Sequence, residues 1–142
     1  MKKLLFLLAS FSAVLILSAC ASQGDLTIED AWARPGIAEG NTGVFFVIAN
    51  PTDQDDRLLS ANSTIAQAVE MHKTTMQDGV MKMSPQDFVD IPAGGQVVFK
   101  PGDLHLMLIN LNDQLNVGDT FEITLVFETA GEISLTVTVQ EQ

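Results

Sequence analysis

The residues able to do chemistry in this chain fall in one stretch, Met71 to Met107. It holds Met71-His72, Met76, Met81-Lys82-Met83 and His105-Leu106-Met107. Both histidines and five of the six methionines are there; the sixth methionine is Met1. Counted from His72, the donors run H-x10-M-x21-H-x-M. Imidazole and thioether without thiolate suit Cu(I) better than the other common metals, because thioethers are soft and neutral and imidazole serves copper widely. Methionine is also a common core filler, and a lone histidine is usually a satisfied polar group. Composition and spacing therefore leave two readings open, a soft-metal site and a set of packed methionines.

Period-two geometry decides which donors could meet. Side chains two apart on a strand share a face. His105 and Met107 share one, with Leu106 opposite, and Met81 and Met83 share another, with Lys82 opposite. Met71 and His72 point oppositely on a regular strand, so one of them reaches a common site. His72 is the stronger candidate and Met71 is expected to pack inward. Asp78-Gly79 is a strong hairpin signal that would bring Met76 and Met81 together across the turn. If the strands carrying Met83 and His105 lie close, three or four donors converge.

The elements that must position them read as short strands. Leu26 to Glu29 alternates apolar and polar and continues through Asp30 to Arg34, stopped by Pro35 and Gly36. Trp32, the only tryptophan, is expected to be a core anchor, with a place in a site wall as the lesser option. Gly43 to Ala49 is an apolar run consistent with a strand buried on both faces. Asn50 to Asp53 is a turn, and Arg57 to Ser60 resumes extended structure. Ile65 to Val69 is ambiguous and could form one helical turn, whereas Val69 to Thr75 reads as strand. Pro85 interrupts, and Phe88 to Pro92 leads into a turn at Ala93-Gly94-Gly95; further strands are expected at Gln96 to Lys100 and Leu104 to Leu111. Thr120 to Glu128 and Glu132 to Val139 form a closing hairpin. Many short strands with turn signals between them point to an all-β antiparallel sandwich or barrel with one core. Its end loops are a natural place for a site.

Length and charge narrow the function. The 142 residues allow one domain plus a short extra segment. A net charge of -11 argues against nucleic acid, whose phosphates need a basic surface. Acidity would mildly favour cations, though by itself it chiefly means solubility. Lys2 and Lys3 precede the apolar run Leu4 to Leu17, which is short for a membrane span. Leu17-Ser18-Ala19-Cys20 resembles a bacterial lipobox. The expected organisation is a lipoprotein-type signal over 1–19, a lipidated Cys20 with a tether over 20–25, and the domain over 26–142. An ordinary secretory signal or an uncleaved anchor are the alternatives; all place the domain outside the cytoplasm, in the periplasm or on the cell surface. Cys20 is the only cysteine, so there is no internal disulfide, no blue-copper thiolate and no redox CxxC pair.

The donor pattern resembles the motif H(M)x10Mx21HxM of the PCu(A)C copper chaperones. Met71-His72, Met83, His105 and Met107 fill it without insertion. The likeness extends to Asp30 to Pro35 (DAWARP), Asn50, Asp78 to Met83 (DGVMKM), Ile91 to Gly95 and Pro101 to Met107. It implies a cupredoxin-like β fold and Cu(I) held by His72, Met83, His105 and Met107, with Cu(II) accessible through the histidines. It also implies delivery of copper to the CuA centre of cytochrome c oxidase subunit II, alongside Sco-type thiol chaperones. A shallow, partly apolar site near one end of the sandwich is expected, with Met76 and Met81 on its rim as secondary contacts, for a second copper or for a partner's surface, and Met71 as a further secondary candidate. The competing functions are a copper-sequestering lipoprotein, a metal-free structural lipoprotein and a copper enzyme. For the last, two histidines are too few for a usual Cu(II) oxygen site, and no nucleophile or carboxylate pair stands out.

Overall fold

The computed structural model describes residues 24–141. The expected signal segment and Cys20 lie outside them. The strands are β1 (Thr27–Ala33), β2 (Thr42–Ala49), β3 (Asp56–Asn62), β4 (Ala66–Gln77), β5 (Val80–Pro85), β6 (Val89–Ile91), β7 (Gln96–Phe99), β8 (Leu104–Leu111), β9 (Thr120–Phe127) and β10 (Glu132–Val139). No helix occurs among the described residues. The hydrogen-bonded order is β5-β4-β8-β2-β1-β10-β9-β3-β6. β2 is shared along its length: its first half pairs with β8 and its second with β7.

This long sheet curls over a single core. Val44, Leu106 and Leu108 from the β4-β8-β2 side pack in one cluster with Leu58, Ile91, Leu125 and Val137 from the β10-β9-β3-β6 side. Phe46 stacks on Phe99 within it, ring centroids 4.4 Å apart. Burying each such aliphatic or aromatic side chain contributes about 1.5–3 kcal/mol, and this core stands in for the missing disulfide.

Three features depart from the sequence expectation. The stretch after Ile65 makes no helical turn, because β4 starts at Ala66 and is held along β8 from Ala66 opposite Leu111 to Lys73 opposite Leu104. Neighbouring-strand pairing outweighs the helix propensity of two alanines. One pairing, β1 with β10, is parallel, since the last strand closes the fold by lying beside the first. Finally, β1 carries a bulge. Glu29 faces Val47 but Trp32 faces Phe45, so three steps on β1 match two on β2, and Asp30 takes up the extra residue at φ 52. A bulge turns the following side chains over. Here it sends Ala33 into the core and leaves Trp32 half-buried beside Phe45 on the outer face. Trp32 is thus not the core anchor that its size suggested.

Candidate metal centre

The register between three strands builds the site. His72 of β4 lies directly opposite His105 of β8, and Glu70 opposite Met107. On the other side of β4, Thr74 lies opposite Met83 of β5, and His72 opposite Pro85. Antiparallel partners share a face, so His72, Glu70, Thr74, His105, Met107 and Met83 all project from one side of the sheet. His72 is central among them. His105 is its direct neighbour, while Met107 and Met83 are its diagonal neighbours, separated by the roughly 7–8 Å that long side chains bridge. The four motif donors therefore meet around one residue, on regular strands rather than on end loops, near the start of β8.

The other methionines divide by parity. Met71 lies on the opposite face, opposite Leu106, and is buried in the main core; the fold does not bring it to this group. Met76 and Met81 face each other further along the hairpin and are exposed. Asp78 at φ 51 and Gly79 at φ 77 form the tight turn between them, in the left-handed pair of conformations that suits strand twist.

Both imidazoles are held by their second nitrogen. His105 is 5% exposed, and its Nδ1 lies 2.9 Å from the Asp103 carbonyl. A carbonyl only accepts, so Nδ1 carries the hydrogen and a neutral ring keeps its lone pair on Nε2. The same carbonyl accepts the Thr74 backbone N–H at 3.1 Å, which ties β4 to the start of β8. In His72 the roles are exchanged. Its Nε2 lies 2.8 Å from Glu70 Oε2, so Nε2–H donates to the carboxylate and the lone pair is on Nδ1. That Nδ1 is buried with no hydrogen-bond partner. Leaving a buried polar atom unsatisfied costs about 1–3 kcal/mol, and a soft cation is a partner that would relieve it. Metal-bound imidazoles commonly donate their other N–H to a carboxylate or carbonyl, and both arrangements stand here before any metal is added.

An aromatic wall flanks the nitrogens. The rings of His72 and His105 meet edge to face with centroids 5.9 Å apart. Phe45 lies 6.3 Å beyond His105 and Trp32 4.5 Å beyond Phe45. Phe45 is 4% exposed yet stands outside the main core cluster, so its burial belongs to this outer face. Gly43, which faces Met107, leaves room for it: a Cβ there would sit 2.8 Å from Phe45 Cζ. Two contributors escaped the sequence reading, Phe45 in a uniformly apolar strand and Glu70 as an ordinary surface acid. Trp32 was placed in a site wall only as the lesser option, because the bulge is not legible in its residues. The period-two rule could have placed Glu70 on the face of His72.

No group of three or more His, Cys, Asp or Glu side chains among the described residues is arranged to hold a metal. A site built on these histidines would draw on the neighbouring thioethers, and because hard cations prefer oxygen such a donor set would favour a soft ion. Two acidic residues elsewhere have structural work: Asp56 accepts the backbone N–H groups of Arg57, Thr129 and Ala130, and Asp55 that of Ala93.

Comparison with known proteins gives the same direction. Residues 26–139 match the family model described as "LpqE-like: Putative lipoprotein LpqE-like". The "Uncharacterized protein RP573" of Rickettsia prowazekii (strain Madrid E) is 35% identical over 102 residues, which is 68% of this chain. The match spans only 56% of that protein's own length. Among solved structures, the "Copper-bound PCuAC domain from PmoF2" superposes with a TM-score of 0.70 at 27% identity, covering 85% of this chain and 97% of that one. The solution structure of CuI-DR1885 from Deinococcus radiodurans matches with a TM-score of 0.62 at 26% identity, covering 86% and 84%. The all-β, cupredoxin-like architecture expected from the sequence is the one these structures share.

Proposed function

The chain belongs to the LpqE-like family of lipoproteins and has the PCu(A)C-type fold, and from that membership we propose that it is a non-catalytic carrier of Cu(I). The ion is its cargo. His72 through Nδ1, His105 through Nε2, and the thioethers of Met83 and Met107 are the ligands. The observation that carries this reading is the register that gathers His105, Met107 and Met83 around His72. The buried, partnerless Nδ1 of His72 supports it independently.

The donor chemistry suits carriage better than storage. Thioethers are neutral, bind without losing a proton, and hold Cu(I) less firmly than thiolates. A recipient bearing cysteines could draw the ion away by stepwise ligand exchange. Met83, 48% exposed, is the donor such a partner meets first. The recipient we propose is the CuA domain of cytochrome c oxidase subunit II, with a Sco-type thiol chaperone as a second partner; the sequence resemblance supports both. Cu(II) would be held through the histidines. The family's lipoprotein character and the lipobox-like Leu17 to Cys20 support anchoring through a lipid on Cys20, on the extracytoplasmic side of a membrane.

An anaerobic competition titration of Cu(I) between the chain and a chromogenic chelator tests the carrier reading. One tight equivalent is expected, weakened in both Met83→Leu and Met107→Leu. No competition for Cu(I) would sink it. Transfer to an apo CuA domain tests delivery; tight retention without transfer would favour sequestration.

A further inference from the structure

The β4–β5 hairpin runs on past the rest of its sheet. β8 begins at Leu104, opposite Lys73, so beyond that point β4 pairs with β5 alone. The projecting part has two unlike faces. One carries Thr75 and Lys82, which face each other. The other carries Met76 opposite Met81, with Met83 the next residue on the same face of β5. These three methionines are 65%, 64% and 48% exposed. Methionine is among the residue types usually buried and earns its place by filling core gaps, as Met71 does here. Three exposed thioethers segregated to one face of a hairpin, continuous with the face of His72, are not explained by packing.

We propose that Met76, Met81 and Met83 form an outer Cu(I) site, a capture station that shares Met83 with the inner centre. Cross-strand partners stand with Cβ atoms about 4.5–5.5 Å apart, and residues two apart on a strand about 7 Å apart. Flexible three-bond side chains close either gap around one ion. Three neutral sulfurs with no carboxylate or imidazole among them accept Cu(I) and offer little to zinc, magnesium or calcium. The proposal rests on the carrier reading for its second step only, in which the ion moves inward. In that step copper remains Cu(I). Its bonds to the Met76 and Met81 sulfurs break as bonds to His72 Nδ1, His105 Nε2 and the Met107 sulfur form, and Met83 stays bound. All donors give lone pairs, so no electron is transferred and no proton is released.

The test uses the full chain with 13C-labelled methionine methyl groups. The probes are anaerobic Cu(I) and Ag(I), a soft ion of the same charge that does not change oxidation state under these conditions. In His72→Ala/His105→Ala, which lacks the inner nitrogens, the methyl signals of Met76, Met81 and Met83 are expected to move together on adding one equivalent. Met71, on the opposite face, should stay still. Still signals at Met76 and Met81, or a Met71 signal that moves as far as theirs, overturn the outer site. Leucine at both outer positions keeps size and apolar character at exposed sites, so Met76→Leu/Met81→Leu should fold. In an otherwise intact chain it is expected to slow loading from a Cu(I) chelate several-fold; loading at the wild-type rate overturns the capture role. The carrier reading fails separately, by retention of the tight equivalent in His72→Ala/His105→Ala, and the methyl shifts still decide the outer site in that event.

Discussion

Replacing Glu70 with alanine is expected to loosen Cu(I) about tenfold while leaving the apo fold intact. The carboxylate accepts from His72 Nε2–H at 2.8 Å and makes no copper bond in the proposed site. Its effect is to fix the ring so that Nδ1 carries the lone pair among the other donors. Hydrogen bonds to a charged group are worth about 1.5–3 kcal/mol. The Glu70 side chain is 52% exposed and that of His72 15%, so solvent screens part of this, and the appropriate figure is the low end of the roughly 10–100-fold affinity losses such partners give, about tenfold or 1.4 kcal/mol. Glu70→Gln keeps a carbonyl oxygen able to accept from Nε2–H and should lose less than the alanine variant. Competition against a chelator measures the affinities. Denaturant unfolding of the apo forms checks that the fold survives; losing this partly exposed pair should cost the apo form no more than about 1 kcal/mol. Nitrogen-15 spectra of the loaded protein should show His72 bound through Nδ1 and His105 through Nε2. Ligation of His72 through Nε2, or equal losses in the two variants, would refute the positioning role. An alanine variant that binds like wild type would do so too.

Met107→Leu conserves volume and should cost under about 1.5 kcal/mol of stability, yet weaken Cu(I) binding; unchanged affinity in the chelator assay would make Met107 a packing residue. His105→Ala should impair Cu(II) as well as Cu(I), because imidazole serves both oxidation states, and electron paramagnetic resonance of the Cu(II) form reads this directly. Gly43→Ala drives a Cβ to 2.8 Å from Phe45 Cζ and is expected to lower stability by about 1–3 kcal/mol through overpacking. The displaced ring lies between Trp32 and His105, so the fluorescence of the single tryptophan should shift in the folded variant. A wild-type spectrum and melting curve would mean the outer aromatic wall is slack.

The candidate donors and most of their orientation were legible in the residues alone. Parity on a strand is local, so His105 and Met107 sharing a face, and Met71 opposing His72, could be read from period two. Asp78-Gly79 likewise set the hairpin through its own backbone preferences, and with it the pairing of Met76 and Met81. Only the tertiary structure decided that β4 lies between β5 and β8 with His72 opposite His105. Register between strands distant in sequence is set by which faces the core buries, not by any short stretch. The same holds for Trp32. Its apolar bulk says "buried", but a bulge at Asp30, forced by the match of β1 to β2, turned it toward the site. Glu70 carried no signal as a residue type among 18 acidic side chains. It acquires a role because the pleat sets it beside His72 on the one face where both histidines meet.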